Sequence, residues 1–514
     1  MTPEAQKQDD GLSVKPEQGD EAAAREFWIS RLLAITRSTR QRDLLLHLGR
    51  MQSLKNDEIL LTISDLKTIK QLYSGKGKNR LYHQATDHFL RSRVEPLQAM
   101  LTTWMNGAKA QIGDQDVPFT QVVTWCQYTQ DMDARSNLTR EVRSLCLFLA
   151  PFSHATWKAL FEVLSEDLHY SDYIKYCEEK RGVSLTRAAA EAAAFLKLTG
   201  ALYKRLLQPL LLKVTGLSLE QASRFDAIYL LGLRYLDRFF PGKLSVSDIL
   251  GFFQETGYTR VSEPELLIIH EQDDPGAQSY CIPVDIPGEI HVIVGSMKGW
   301  LDLESLCHEL GHAMTFLYTD DALPPEQSDF FQSSGLSESF AFLFQKMCMS
   351  KEFLYKVLGL DADVAEMISQ VHEIKWLTLA RRYAAKLVIE VENFQQGYLQ
   401  RGEQYYADTM QQETGFDYDP ETYLFDLMPD FYSLDYFQAF LGSASIEKYL
   451  QNMYGETWYL GTAAGDMLQK WWSEGNSSDL SDVIKEKTGQ PLQADQFIQN
   501  IPPLMLTEYR VIGR

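Results

Sequence analysis

The sequence lacks the features of exported and membrane-spanning proteins. Its first 24 residues contain no apolar core of the kind that a secretory signal needs. Apolar stretches such as ALYKRLLQPLLLKV at 201–214 are interrupted by Lys and Arg, so none reaches the ~20 clean residues of a membrane span. The six cysteines have no paired spacing, which is typical of reduced thiols rather than of a disulfide framework. We therefore expect a cytoplasmic protein that does not associate with a membrane.

Basic residues are also scarce relative to acidic ones. The chain has 49 Lys and Arg against 70 Asp and Glu, which gives a net charge of -21. This charge repels a phosphate backbone, and no cationic stripe offsets it. We predict that nucleic acid is not a partner. Hydrophobic residues (45%) and charged residues (23%) occur at the levels of a folded globular protein.

Helical periodicity dominates the chain and is interrupted once. From about Glu26 to Tyr258, apolar residues recur at three- and four-residue steps, as in FDAIYLLGLRYLDRFF. Between Glu265 and Gly295, the segments ELLIIHE, SYCIPVDI and EIHVIVG are short, rich in β-branched residues and separated by turn residues, which predicts strands. Helical spacing resumes from Leu303. The pattern predicts a mainly α protein with one small β-sheet.

A helix directly after the last predicted strand carries the segment DLESLCHELGHAM, residues 302–314. Its His308 and His312 are four residues apart, so they project from one helical face about 6 Å apart, and one ion can bridge them. A hydrolytic zinc site needs a third protein ligand and an open position for water. The alternative is that both histidines and Glu309 are ordinary solvated side chains of a surface helix.

Glu338 is the strongest candidate for the third ligand. It lies in SSGLSESFAFLFQKM, where Ser334 or Ser337 can cap a helix and Leu336, Phe340, Phe344 and Met347 form an apolar stripe. A carboxylate buried beside that stripe needs a cation. The alternative is that Glu338 only interacts with the helix dipole, which stabilises an acid by about 0.3 to 1 kcal/mol.

Other residues of the H-E-x-x-H segment suggest further roles. Glu309 directly follows the first histidine, so its side chain projects from the helix in a different direction from the two histidines. This placement suits a general base that takes a proton from water polarised by the ion. Glu304 lies on the ligand face and either accepts a hydrogen bond from a ligand imidazole or is a solvated acid. Gly311 costs a helix about 1 kcal/mol against Ala, which indicates close approach by a neighbouring segment. Cys307 is predicted to be a core residue.

These motifs resemble those of the thimet oligopeptidase and oligoendopeptidase F family of zinc metallopeptidases. LESLCHELGHAM looks like the family signature, and Glu338, 26 residues after His312, matches the glutamate ligand of a second helix. The segment PDFYSLDYFQAFLGSASIEKYL is similar to the family's tyrosine-rich segment. That similarity implies that Tyr436, and second Tyr432, stabilise the oxyanion; packed core aromatics are the alternative. The family usually has a histidine shortly before this segment, but this chain has no histidine after His372, and Asp430 lies near that place.

The C-terminal segment SDVIKEKTGQPLQADQFIQNI also resembles the Taq-type metallocarboxypeptidases. The arginines that those enzymes carry before the zinc helix and after the glutamate ligand are missing from EIHVIVG and ESFAF. A carboxypeptidase needs a fixed cation for the terminal carboxylate, best supplied by arginine. The sequence therefore favours an oligopeptidase over a carboxypeptidase.

Together, these observations predict a two-lobed, mainly helical, zincin-like metallopeptidase that cuts short peptides in a deep cleft between its lobes. Residues 1–24 form a flexible acidic tail, 25–258 a helical N-terminal lobe and 259–514 the catalytic lobe. One zinc ion binds His308, His312 and Glu338, Glu309 is the general base, and the edge strand Ile290 to Val294 pairs with the substrate. The rivals are a metallocarboxypeptidase, a catalytically inactive helical binding protein and a zinc hydrolase with another substrate.

Overall fold

The computed structural model describes residues 21–50, 60–72, 80–273, 278–331, 333–397, 402–476 and 478–499. It is mainly helical, as predicted. The α-helices of the described residues are α1 (Glu21–His47), α2 (Ile63–Gln71), α3 (Arg80–Gly107), α4 (Val122–Tyr128), α5 (Met132–Glu162), α6 (Tyr173–Arg181), α7 (Leu185–Thr215), α8 (Arg224–Leu231), α9 (Val246–Glu255), α10 (Trp300–Leu317), α11 (Pro325–Ser328), α12 (Gly335–Met347), α13 (Lys351–Lys356), α14 (Ala362–Gln396), α15 (Glu403–Thr414), α16 (Tyr423–Asp426), α17 (Tyr432–Tyr454), α18 (Thr462–Trp472), α19 (Leu480–Thr488) and α20 (Ala494–Gln499). The strands are β1 (Lys109–Ile112), β2 (Gln115–Pro118), β3 (Leu267–Gln272), β4 (Tyr280–Asp285) and β5 (Glu289–Gly295).

Two of the longest described helices, α7 and α14, pack against each other. Ser184 caps the start of α7 by accepting a hydrogen bond from the Arg187 backbone N–H, and Gly216 ends it in a left-handed conformation. The largest core cluster extends along the chain from Leu90 to Phe497. The core therefore joins residues from both sides of position 258.

The three predicted strands form one sheet in the order β3-β5-β4. Strand β5 is parallel to β3 and antiparallel to β4. The prediction that Ile290 to Val294 is an edge strand is therefore wrong: it lies in the centre of the sheet, where both sides of its backbone are paired. The side chains of Ile290, Val292 and Val294 pack into the main core, which explains why this strand is the most apolar of the three.

Two smaller expectations also need correction. The region predicted to be helical contains the antiparallel hairpin β1-β2, whose pairs run from Lys109↔Pro118 to Ile112↔Gln115. Residues 21–24, assigned to the flexible tail, are the first turn of α1, whereas the rest of that predicted tail lies outside the described residues. The turn QDDPGAQ and the C-terminal end of the predicted catalytic lobe also fall partly outside them.

Helix α1 covers one face of the three-stranded sheet. Its Leu44 shares a small core with Ile282 and Val284 of β4, and its Arg40 pairs with Asp329 at 2.8 Å. The N-terminal helix is thus packed against the part of the chain that carries the H-E-x-x-H segment. In the described part of the chain, no helix has both the length and the apolar character needed to cross a membrane.

Candidate metal centre

Helix α10, which carries the H-E-x-x-H segment, is anchored at its first turn. The carboxylate of Asp237 accepts a hydrogen bond from the Trp300 backbone N–H at 3.0 Å. Asp302, in the first turn, receives the guanidinium of Arg234 at 2.7 and 3.1 Å. Carboxylates at a helix N-terminus satisfy unpaired N–H groups and favour the helix dipole. These contacts fix where the helix begins and therefore the direction in which its histidines project.

The close approach predicted from Gly311 is confirmed. Helix α12 crosses α10 at this glycine, and a Cβ atom added there would lie 2.5 Å from the Cα of Ala341 and 2.9 Å from the carbonyl oxygen of Phe340. Only a residue without a side chain fits this crossing. It brings the face of α10 that bears His308 and His312 against the first turn of α12, which bears Glu338.

The three predicted ligand residues converge. The Oε2 atom of Glu338 lies 3.5 Å from Nε2 of His308 and 3.5 Å from Nε2 of His312. All three ligand atoms lie within 4.8 Å of one another. Ligands at 2.0–2.1 Å from a tetrahedral zinc ion are about 3.3 to 3.4 Å apart. The spacing of the two pairs therefore fits a common ion with little rearrangement.

Both imidazoles are oriented by side chains of α12. Nδ1 of His308 is 3.0 Å from Oε1 of Gln345, and Nδ1 of His312 is 2.8 Å from Oγ of Ser337. An amide oxygen only accepts, so Nδ1 of His308 carries the proton and Nε2 keeps its lone pair. Such contacts to the far ring nitrogen are the usual way in which a protein orients metal-binding histidines.

The electrostatics of the three residues fit a cation. Glu338 is only 2% exposed, and its buried Oε2 atom has no hydrogen-bond donor among the described residues. Burial raises the pKa of Glu338, but the two histidines outweigh it, so the net shift is downward and the group is ionised. Burial and then the proximity of His312 lower the pKa of His308 to about 4, which keeps it neutral. An ionised carboxylate with an unpaired oxygen beside a neutral imidazole lone pair is a donor set for a divalent metal.

His312 behaves differently from His308 in the absence of a metal. Burial lowers its pKa, but the carboxylate of Glu338 outweighs that effect and the net shift is upward. A proton on Nε2 of His312 would face Oε2 of Glu338 across 3.5 Å, where a cation would also have to bind. Metal binding at this position would therefore release that proton.

Glu309 lies beside the three ligand residues without belonging to them. It is 9% exposed, and burial raises its pKa to about 7, although His312 opposes the shift. The backbone N–H of Cys281, on the edge strand β4, faces its carboxylate and also lowers its pKa. A carboxylate that exchanges a proton near neutral pH beside a metal-binding set is suited to general base chemistry.

The two predicted tyrosines flank this cluster in different ways. The hydroxyl of Tyr432 donates a hydrogen bond to Oε1 of Glu338 at 2.5 Å. The ring of Tyr436 packs edge-on against Tyr432, with 5.0 Å between centroids, and stacks on Tyr383 at 4.5 Å. Among the described residues, no hydrogen bond to the Tyr436 hydroxyl is observed, so this hydroxyl is free to bind a ligand.

Two acidic residues near the motifs do not join the cluster. Glu304 contacts neither ligand imidazole: it is fully buried, pairs with Lys375, and lies 3.0 Å from Nε2 of His372. Both proposed roles for it, orienting a ligand and being a solvated acid, are therefore wrong. Asp430 pairs with Lys180 at 3.1 Å.

Sequence reasoning missed three residues of this site. Gln345 lies seven residues after Glu338, two helical turns along the same face, so its spacing was an available signal. The sequence indicates Ser337 only as an alternative helix cap. Ser334 takes the N-cap position of α12, but its side chain makes no capping hydrogen bond; Ser333 accepts the Gly335 backbone N–H at 3.1 Å. Tyr383 is distant in sequence from every motif and carried no local signal.

Comparison of the chain with protein-family models and with curated proteins gives no match.

Proposed function

We propose that the protein is a zinc metallopeptidase that hydrolyses short peptides. The observation that carries this proposal is the unpaired, buried Oε2 of Glu338, which lies 3.5 Å from the Nε2 atoms of His308 and His312. Leaving a buried carboxylate oxygen without a donor costs several kcal/mol unless a cation satisfies it. We propose that these three residues would hold one zinc ion, beside the carboxylate of Glu309.

The proposed roles of the protein's own residues follow from their contacts. When bound, zinc polarises a carbonyl and makes water acidic enough to attack at neutral pH. Glu309 would act as the general base for the attacking water, since its pKa near 7 allows it to take up a proton and later release it to the leaving amine. The free hydroxyl of Tyr436 donates to the oxyanion of the tetrahedral intermediate. Tyr432 holds the carboxylate of Glu338 in its coordinating orientation.

We propose peptide substrates because an edge strand of the sheet lies beside Glu309, the proposed general base. Strand β4, not β5, is the edge of the sheet next to α10, and its Cys281 faces Glu309. An extended peptide paired with an edge strand presents successive carbonyls at fixed spacing. We propose that β4 binds the substrate backbone in a cleft of a two-lobed, zincin-like fold, and that the protein acts in the cytoplasm.

Endopeptidase action is preferred to carboxypeptidase action. Two arginines lie near the tyrosines of the site. Arg181 forms a buried pair with Asp435, the residue before Tyr436, and Arg382 packs on the ring of Tyr383 and pairs with Asp426. Both cations are therefore engaged by aspartates rather than available for a substrate carboxylate. We propose that peptides with an amidated C-terminus are cleaved as well as free acids; cleavage of the free acids alone would favour a carboxypeptidase.

The test combines metal content with peptide hydrolysis. We expect purified protein to contain about one zinc per chain and to cleave a quenched-fluorescent peptide library. Glu309→Gln removes the base and keeps the size of the side chain, so it should retain zinc and lose activity by at least about a hundredfold. Glu255→Gln, on an exposed face of α9, is the matched control and should leave both unchanged.

Two results would contradict the proposal. A protein that binds no zinc and whose peptide turnover is the same with Glu309→Gln would be a binding protein rather than an enzyme. A zinc-loaded protein that hydrolyses esters or other amides in a Glu309-dependent manner, but no peptide, would be a hydrolase of another substrate class.

A further inference from the structure

We propose that Arg181, at the C-terminal end of α6, is a positioning residue that sets the location of Tyr436 through Asp435. The inference rests on the proposed function, because it assigns a role in the reaction to a residue distant in sequence from the proposed metal ligands. Arg181 lies 254 positions before Asp435, and no motif links it to the site.

The chain enters α17 through an unusual backbone conformation. Asp430 and Phe431 both have positive φ values, 56° and 54°, immediately before Tyr432. Residues other than glycine adopt this left-handed conformation rarely and keep it only where the surrounding structure holds them. The direction in which α17 leaves this turn determines where Tyr432 and Tyr436 point. Something outside the turn must therefore hold it.

The guanidinium of Arg181 contacts both ends of this turn. Its Nε donates to the carbonyl oxygen of Asp430 at 2.8 Å, and its two terminal nitrogens donate to the two carboxylate oxygens of Asp435, each at 2.9 Å. Arg181 is 5% and Asp435 1% exposed, so water does not compete for these bonds. Lys180 binds the Asp430 carboxylate, and the Tyr173 hydroxyl accepts a hydrogen bond from the backbone N–H of Asp430.

The same carboxylate connects the tyrosines to the metal-ligand helix. Oδ1 of Asp435 also accepts the Ser333 hydroxyl at 2.6 Å, and Ser333 in turn accepts the Gly335 backbone N–H at the start of α12. Asp435 is adjacent to Tyr436 in sequence and one turn after Tyr432. The Arg181–Asp435 pair therefore fixes the tyrosines relative to the helix that carries Glu338.

A purely stabilising role explains this arrangement less well. Buried ion pairs contribute little net stability compared with apolar side chains of similar volume, because desolvation offsets their attraction. What a planar, two-pronged arginine contact provides is geometry, which a lysine does not reproduce. The contact is placed where a displacement of about 1 Å would move the Tyr436 hydroxyl out of hydrogen-bonding range of a substrate.

The principal test is Arg181→Lys, with Arg187→Lys as the matched control, since Arg187 is 82% exposed in its side chain and only pairs with Glu191. We expect Arg181→Lys to lower kcat about ten- to a hundredfold with little change in KM or zinc content. In a Tyr436→Phe background the same substitution should lower kcat by less than about threefold, because the hydroxyl that Arg181 positions is already gone. Equal losses in both backgrounds would overturn the proposal.

A second measurement does not depend on activity. In the metal-free protein, amide hydrogen exchange of residues 426–436 should be at least about ten times faster in Arg181→Lys, with no change in α10. Faster exchange throughout the chain, or none at this turn, would contradict the inference.

If Arg181→Lys does not fold, Ser333→Ala, which removes one contact of Asp435, must show the same dependence on Tyr436. Absence of zinc and of peptidase activity in the wild type would refute the proposed function instead, while the exchange experiment would still test the turn.

Discussion

Replacing Gly311 by alanine should disrupt the proposed metal site, although alanine favours a helix more than glycine does. A Cβ atom at this position would lie 2.5 Å from the Cα of Ala341, whereas carbon atoms pack best at about 3.5 to 4.0 Å. Helices α10 and α12 must then separate by about 1 Å. Metal–ligand distances tolerate only about 0.2 Å, so Glu338 would no longer share an ion with both histidines.

The two energetic effects of this substitution have opposite signs. Alanine gains about 1 kcal/mol over glycine in helix propensity. Overpacking in a dense interior costs typically about 1 to 3 kcal/mol, and here the obstacle is backbone, which yields less than a side chain. We therefore expect a net loss of up to about 2 kcal/mol in the free energy of unfolding of the metal-free protein, and a larger loss when zinc is present.

The assay is urea denaturation of the metal-free and zinc-loaded protein, with zinc affinity measured by competition against a chromophoric chelator. Gly251→Ala provides the matched control, because Gly251 also lies within a helix but an added Cβ meets nothing within 4 Å. It should stabilise the protein by about 0.4 to 1 kcal/mol. If Gly311→Ala were as stable as the wild type and bound zinc equally well, the close crossing of α10 and α12 would not position the ligands.

Two further predictions concern the surroundings of the ligands. Gln345→Ala removes the acceptor that orients His308 and should weaken zinc binding about 10- to 100-fold without unfolding the protein; unchanged affinity in the chelator competition would show that this contact does not matter. Glu304→Gln leaves Lys375 buried without its partner. Burial raises the pKa of Glu304, but Lys375 and His372 lower it to about 2 from 4.5, so ionisation of this group contributes about 3 kcal/mol above pH 4.5 that is lost as the pH falls toward 2. Acid titration of stability should therefore be shallower in Glu304→Gln, and an identical profile would refute this assignment.

The convergence of His308, His312 and Glu338 was predictable because the signals of these residues are local. Helical spacing alone places His308 and His312 on one face, and the apolar stripe around Glu338 marks a carboxylate that is costly to bury. Gly311 was informative for the same reason, since a glycine inside a strong helical pattern has a cost that only packing explains.

The errors arose where the answer depends on contacts distant in sequence. In the order β3-β5-β4, the last strand in sequence lies between the two earlier ones. No pattern within EIHVIVG distinguishes such a central strand from an edge strand that is buried on one side. The role of Glu304 depends on Lys375, 71 residues later, and spacing along one helix cannot identify such a partner. Residues 21–24, EAAA, follow a polar segment with which they were grouped, but their alanines favour a helix and α1 begins there.

Helix α12 supplies the carboxylate of Glu338 and also the two side chains, Ser337 and Gln345, that hold the rings of His312 and His308. A rotation or shift of this single element would therefore disturb all three donors at once. If these residues hold zinc as proposed, we expect detachment of α12 from α10 to release the ion, because the carboxylate and the supports of both rings would leave together.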